Sequence, residues 1–402
     1  MKLTCDCCIT GGGPAGIMLG YLLARAGVRV IVLEKHTDFL RDFRGDTIHP
    51  STLELLHELG LLEEFLRLPH QEVTRLRGVF NGQEVVLADF SHLKVARPMV
   101  ALVPQWDFLN FMVSKGEGFS GFKVITGAPV TGLLREQSRV TGVKAETRHG
   151  PLEVSARLVV GCDGRHSIIR DLAGLTVHAT GVPIDVLWFR LPKKEGDPSQ
   201  TLGRFDRGRI MVLLDRGDYW QIAYVIPKGE FERIQKKGLD YFKNELSEVS
   251  PFISSRLPAF NSWSEFKLLQ VTIDHLHKWY AEGVLCIGDA AHAMSPIGGV
   301  GINLALQDAV AAYNILHPAL LGQQPIEIAL LRAVQKRRAF PARVIQRLQV
   351  LIQKGMIKSR NRQAAGLPLP FRLLRLFPFL RKVPARIVGM GIRPEHYREP
   401  VK

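Results

Sequence analysis

Three glycines and one carboxylate near the start constrain this chain more than anything else in it. Residues Leu3 to Thr10 read as a short apolar strand running into Gly11-Gly12-Gly13-Pro14-Ala15-Gly16, so that Gly11, Gly13 and Gly16 hold the spacing G-x-G-x-x-G. Ala15 to Ala26 reads as an apolar helix and Val28 to Leu33 as a second buried strand, with Glu34 directly after it. The first glycine permits a tight strand-to-helix turn. The second lets the backbone approach a pyrophosphate, and the third lets the helix pack closely on the strand. Around Pro14 and Ala15 the helix N-terminus turns its free N–H groups and partial positive charge towards phosphate. The carboxylate of Glu34, with Lys35 beside it, meets a ribose. A dinucleotide-binding strand–helix–strand unit is the expectation.

Two later segments add to it. Val154 to Val160 reads as a strand leading into Gly161-Cys162-Asp163-Gly164-Arg165-His166-Ser167, with Arg170 just beyond. Val284 to Ile287 reads as another, leading into Gly288-Asp289-Ala290-Ala291-His292. A glycine-rich loop follows, Pro296 to Gly301, then Ile302, Asn303 and a helix to about His317. The stretches between differ in texture. Asn81-Gly82 is a hairpin signal within Val73 to Leu102, and Ile210–Leu214 and Tyr219–Ile226 read as antiparallel strands. Leu268 to Ile273 is a further candidate strand. No second G-x-G-x-x-G unit and no redox cysteine pair accompany them.

In order and spacing, the glycine fingerprint, the Asp-Gly segment and the Gly-Asp segment resemble the class A flavoprotein monooxygenases, the family of para-hydroxybenzoate hydroxylase and the ubiquinone-biosynthesis hydroxylases. The resemblance runs from the start of the chain to about Ala312. It implies an α/β fold: a Rossmann-like FAD-binding domain from residues 1–72, 103–175 and 276–360, and an inserted β-sheet substrate domain from 73–102 and 176–275. A helical C-terminal section would end in a basic, apolar tail at 361–402. It also implies FAD as cofactor and NADPH or NADH as transient co-substrate. Hydroxylation of a small aromatic or quinone-like substrate by O2 would proceed through a C4a-hydroperoxyflavin.

By the same resemblance Glu34 binds the adenosine ribose, Asp289 the ribityl chain, and Asp163 sits near the pyrophosphate. Arg44 reaches the FAD phosphates and Gln105 touches the flavin side. Pro296, Gly299, Gly301, Ile302 and Asn303 bring a helix N-terminus to the flavin's pyrimidine edge, where negative charge gathers on reduction. His49 follows the arginine segment and is the candidate general base, or else a residue capping the helix that starts near Ser51; His292 is a second candidate. Arg204, Tyr219 and Tyr224 are candidate substrate contacts. A flavin-dependent halogenase lacks support, since its Trp-x-Trp-x-Ile-Pro signature is missing. A flavin-dependent reductase of isoprenoid double bonds, or an FAD-binding protein without turnover, stays open.

Charge singles out the end of the chain. The formal charge is +15, yet residues 331–402 carry 18 Lys and Arg against two acidic residues, which leaves the first 330 close to neutral. A solvated helix with a tail packed on the FAD domain is one reading. A peripheral contact with the inner face of a membrane is another, since basic residues interleaved with Leu and Phe suit anionic lipid. Nothing else supports nucleic-acid binding. The start of the chain lacks the pattern of a signal peptide, and no apolar run reaches about 18 residues, so a cytoplasmic protein is expected. Cys5, Cys7, Cys8, Cys162 and Cys286 lack zinc-site spacing and read as buried apolar residues, with no metal expected.

Overall fold

The computed structural model describes residues 1–40, 47–198, 201–206, 208–322, 325–361, 367 and 369–400. The strand Lys2–Thr10 is the centre of a mostly parallel sheet. It pairs in parallel with Val30–Leu33 on one side and with Gly150–Gly161 on the other. Phe122–Ile125 and Val284–Cys286 continue the sheet in parallel, and Tyr280–Ala281 closes one edge antiparallel. Helices cover such strands on both faces, so they read as unbroken apolar runs; Val30 to Leu33 are all buried. The five cysteines are free, buried thiols in or beside these strands.

Register gives this sheet its use. Thr10 lies opposite both Leu33 and Gly161, and Gly161 lies opposite Cys286. Adjacent strands therefore end on one line. Their following loops, the glycine turn, the Asp163-Gly164 loop and the Gly288-Asp289 loop, open at a single carboxyl edge, where parallel α/β sheets hold ligands.

A second sheet has the strand order Lys267–Leu269, Ile184–Pro192, Tyr219–Pro227, Arg209–Asp215, Leu202–Asp206, Arg75–Phe80 and Gln83–Asp89. Two insertions far apart in the chain meet in it, where Leu202–Asp206 runs parallel to Arg75–Phe80. Asn81 and Gly82 turn the first hairpin with φ of 46° and 80°, the doubly positive turn that matches strand twist. One face of the sheet, through Phe189, Met211, Trp220 and Tyr224, packs on the helix Leu239–Val249 and the turn Pro251–Ala259. The expected strand at Leu268–Ile273 is instead split between Lys267–Leu269 and Ile273–Leu276, which belong to different sheets. Asp185 causes the break by accepting the Val271 N–H at 2.9 Å.

The C-terminal section closes over both parts. The helix Gly301–Leu321 packs on Pro14–Arg25, and the helix Ile328–Asn361 follows it. The short helices Leu369–Leu376 and Lys382–Gly389 then cross the hairpin strand Gln83–Asp89. Phe371 lies 4.3 Å from Phe80, which stacks on Phe205 at the same separation. The tail thus packs on the second sheet as well as on the domain of the first.

The two faces of that sheet predict different costs. Trp220 is fully buried and donates from its indole to Asp197 at 2.8 Å, so Trp220→Ala should cost about 3–5 kcal/mol in denaturant unfolding. Val212 faces the other way, and Val212→Ala should cost only about 1 kcal/mol. Equal losses would mean that the faces are assigned wrongly.

Candidate active site

One continuous cavity of about 2160 Å3 runs along the carboxyl edge of the first sheet and under the open face of the second. Gly11, Gly13, Pro14, Ala15, Glu34 and Lys35 line its first end, and Asp163 and Asp289 its middle. Gln105, Pro296, Gly299, Gly301 and Ile302 line it further along, as does His49. The motif residues, spread over nearly 300 positions, are thus gathered around one space. Arg44 lies outside the described residues.

The first end is shaped for an anion and a sugar. Gly11 has φ of +99°, and a Cβ there would sit 2.4 Å from the Cys162 carbonyl oxygen. A Cβ on Gly16 would come within 2.0 Å of the Gly11 oxygen, so Gly16 holds helix to strand without lining the cavity. Gly13, by contrast, would meet nothing within 4 Å. It leaves bare backbone towards the cavity at a helix start with no side-chain cap. Unsatisfied N–H groups and the helix dipole favour phosphate there. The Glu34 carboxylate accepts from the Gly12 N–H at 2.8 Å and the His36 N–H at 3.0 Å, which fixes it at the end of its strand.

The middle holds two carboxylates with different duties. Asp163 accepts from Ser167 Oγ at 2.5 Å and from the Ile169 N–H at 3.1 Å. Burial raises its pKa, with these hydrogen bonds opposing. It therefore spends its oxygens folding its own loop. Asp289 is a third exposed to the cavity, with Arg165 3.5 Å away. Sequence reading passed over Arg165, although its place in the Asp-Gly loop was a signal.

At the far end, Gly298 and Gly299 have φ of +81° and +61°. Thr47 Oγ1 donates to the Gly299 carbonyl at 2.7 Å, and a Cβ on Gly299 would clash with that hydroxyl. The helix Gly301–Leu321 then starts without a side-chain cap, its first turn at the cavity wall. Asn303 does not line the cavity. Its Oδ1 accepts from the His49 N–H and the Thr52 hydroxyl, both at 2.8 Å, and its Nδ2 donates to the Thr47 carbonyl at 2.9 Å. The side chain stitches residues 47–52 to the glycine loop.

His49 stands at the N-cap position of the helix Pro50–Glu58, but its ring does not cap it. Nδ1 lies 2.7 Å from the Val388 carbonyl oxygen. A carbonyl only accepts, so Nδ1 carries the proton and Nε2 keeps its lone pair. Burial pulls the pKa down to about 4 against the opposing Val388 bond, so the ring is neutral at pH 7. His292 is elsewhere, buried against Asp308 and off the cavity wall. Asp308 also accepts from the Gly288 N–H at 3.1 Å and Arg338 Nε at 2.9 Å. Burial alone would depress His292 and raise Asp308; their mutual attraction, helped at Asp308 by Arg338, reverses both shifts.

None of the three expected substrate contacts lines the cavity. Gly203 and Phe205 line the cavity, so alternation turns Arg204 to the other face, where it lies over the Phe252 ring. Tyr224 donates to Glu245 at 2.8 Å within the core behind the sheet, and Tyr219 lies under the Arg190 guanidinium. The cavity wall in that region includes Val186, Trp188, Phe205, Ile210, Val212, Leu214, Ala223 and Val225, with Arg77, Asp206, Arg209 and Glu248 also on it.

Asp308→Ala should leave Arg338 and His292 buried without their carboxylate and cost about 3–5 kcal/mol by thermal unfolding. The pair's contribution should fade in acid as Asp308 takes up a proton, and in alkali above the raised pKa of His292. A variant as stable as the parent across that range would remove Asp308 as the hub.

The bare glycine turn, the fixed carboxylate at the first end and the uncapped helix at the far end fit an extended flavin dinucleotide. A family model described as FAD binding domain matches residues 4–348. The chain is 32% identical over 386 residues to 6-methylpretetramide 4-monooxygenase of Streptomyces rimosus, covering 95% of this chain and 91% of that one. It is 28% identical over 316 residues to rifampicin monooxygenase of Streptomyces venezuelae, covering 76% of this chain and 62% of that one. An anhydrotetracycline hydroxylase structure from Streptomyces rimosus superposes with a TM-score of 0.78 at 24% identity, over 100% of this chain and 78% of that one. The chain belongs to the FAD-binding family of class A flavoprotein monooxygenases and is an FAD-dependent monooxygenase.

Proposed function

We propose that this monooxygenase hydroxylates a multi-ring aromatic or quinone-like molecule at the expense of NAD(P)H and O2. The observation that carries the reading is the cavity itself. Its volume is more than twice the roughly 1000 Å3 upper end of ordinary small-molecule sites. Its second half is walled mainly by aliphatic and aromatic side chains, Phe80 and Phe371 among them, and Arg77 and Arg209 on it are already paired with Glu84, Asp206 and Glu248. Such a space suits a flavin lying beside a broad, flat, uncharged substrate.

Bound FAD supplies reduction by NAD(P)H and the activation of O2. The chain's own residues do the rest. The glycine turn and Glu34 would hold the adenosine end, and Asp289, with Arg165 beside it, would hold the ribityl chain. The uncapped N-terminus of the helix Gly301–Leu321 stabilises negative charge at the flavin's far edge. The apolar wall excludes water and presents the ring. Nε2 of His49 accepts a hydrogen bond from a substrate hydroxyl, which raises the electron density of the ring.

The test is NAD(P)H consumption by FAD-loaded protein in air. The panel pairs single-ring phenols with multi-ring phenols and quinols, and 6-methylpretetramide and rifampicin are natural first members. Multi-ring compounds should accelerate consumption, and the product should gain one oxygen atom by mass. A rate unaffected by removing O2, with a reduced isoprenoid as product, would move the enzyme to the reductase class.

His49 predicts a pH profile. With its pKa near 4, the ring stays neutral and keeps its Nε2 lone pair throughout the neutral range, and activity on a phenol should fall only as pH drops through about 4. His49→Ala should slow turnover roughly tenfold near neutrality, the loss of one hydrogen bond to the substrate hydroxyl. Its rate should then climb with pH towards the phenol's own ionisation at about 10. A variant that keeps the parent's profile would clear His49 of this part.

A further inference from the structure

The C-terminal helices are apolar on two sides. Their inner side chains, Phe371, Leu374, Pro384 and Val388, line the cavity. Leu369, Leu376 and Phe379, each at least 64% exposed, point to solvent with Leu373, Phe377 and Val383 near them. Burying those groups would release apolar surface from water at about 25 cal/mol per Å2, and the chain leaves that undone. Interleaved with them are the exposed cations Arg372, Arg375, Lys382 and Arg386. No acidic residue occurs between 331 and 394 to offset them.

We propose that this face docks on an anionic lipid bilayer. Charge selects the occupant. A second copy of the chain on the same face would set one dense cationic surface against another. A nucleic acid would meet the arginines but would leave the leucines and phenylalanines without a partner. A bilayer with acidic headgroups takes both, with the aliphatic and aromatic groups in the interface and the guanidinium and ammonium groups at the phosphates. Docking is peripheral: among the described residues, no helix is long and apolar enough to cross a membrane. Position adds a use. Leu351 and Ile352, exposed on the preceding helix, also line the cavity, so the chamber reaches the surface beside the docking face. An apolar substrate dissolved in the bilayer would enter there without crossing water.

The docking surface is independent of which molecule is hydroxylated. FAD-loaded protein is floated with phosphatidylcholine vesicles that contain or lack phosphatidylglycerol, at low and at high salt. It should rise only with the acidic vesicles and be released by salt, which screens the headgroup attraction. Leu376→Glu with Phe379→Glu should weaken flotation about tenfold or more, and so should Arg372→Glu with Lys382→Glu. Both pairs lie outside the cavity wall, so FAD content and melting temperature should stay at parental values. Equal behaviour on both kinds of vesicle would overturn the proposal, as would flotation untouched by both pairs. A concentration-dependent dimer that Leu376→Glu with Phe379→Glu dissolves would hand the face to a second copy instead.

Discussion

The ladder of backbone hydrogen bonds around Lys2–Thr10 sets everything else in place. Because Thr10 is in register with both Leu33 and Gly161, and Gly161 with Cys286, strands drawn from distant parts of the chain finish level. Side chains at their ends then need only short loops to converge. A slip of one residue in any of these pairings would flip that strand's buried faces and carry its loop out of line. Close packing behind the edge resists such slips: Gly16 on Gly11 and Gly11 on Cys162 leave no room even for a methyl group.

Polar groups behind the cavity wall fix the loops that the ladder delivers. Asp308 sits under the Gly288 turn and joins it to His292 and Arg338, and Arg338 reaches the Arg393 carbonyl. Asn303 does the same for residues 47–52. Neither side chain faces the cavity, yet each fixes backbone that does. Fixed dipoles of this kind need no rearrangement when charge develops on a ligand, and electrostatic stabilisation in enzymes depends on that.

The cofactor half of the site was legible in the sequence because its chemistry is carried by backbone. A glycine turn, a strand and a carboxylate at set spacings dictate local geometry, and Glu34 and Asp289 lie where that geometry implies. Alternation in the second sheet was legible too, but it defines two faces without saying which one is wet. Arg204 and Tyr224 were therefore candidates for the cavity while Phe205, Val212 and Ala223 line it, and Tyr219 shares the face of Ala223 but lies beyond the cavity. What decides the matter is the helix Leu239–Val249, which covers one face and which alternation within a strand does not reveal. Asn303 shows the opposite limit: its position after the glycine loop was plain, but three of its hydrogen bonds depend on a segment some 250 residues earlier. The roof was least legible. Basic composition says nothing about Phe371 reaching Phe80, or about the Val388 carbonyl reaching His49.

That last contact has a consequence for how the protein is made. The Val388 carbonyl sets the tautomer of His49, and the Tyr397 N–H and the His396 ring both bind Glu58. Residues made late in synthesis thus close on residues made early. A nascent chain stopped near residue 360 would have the glycine turn, the Asp-Gly loop and the Gly-Asp loop already translated. It would lack the roof and the carbonyl that orients the imidazole. Orientation of the imidazole and closure of the cavity would then arrive only once residues 371–388 had folded back over the earlier part of the chain.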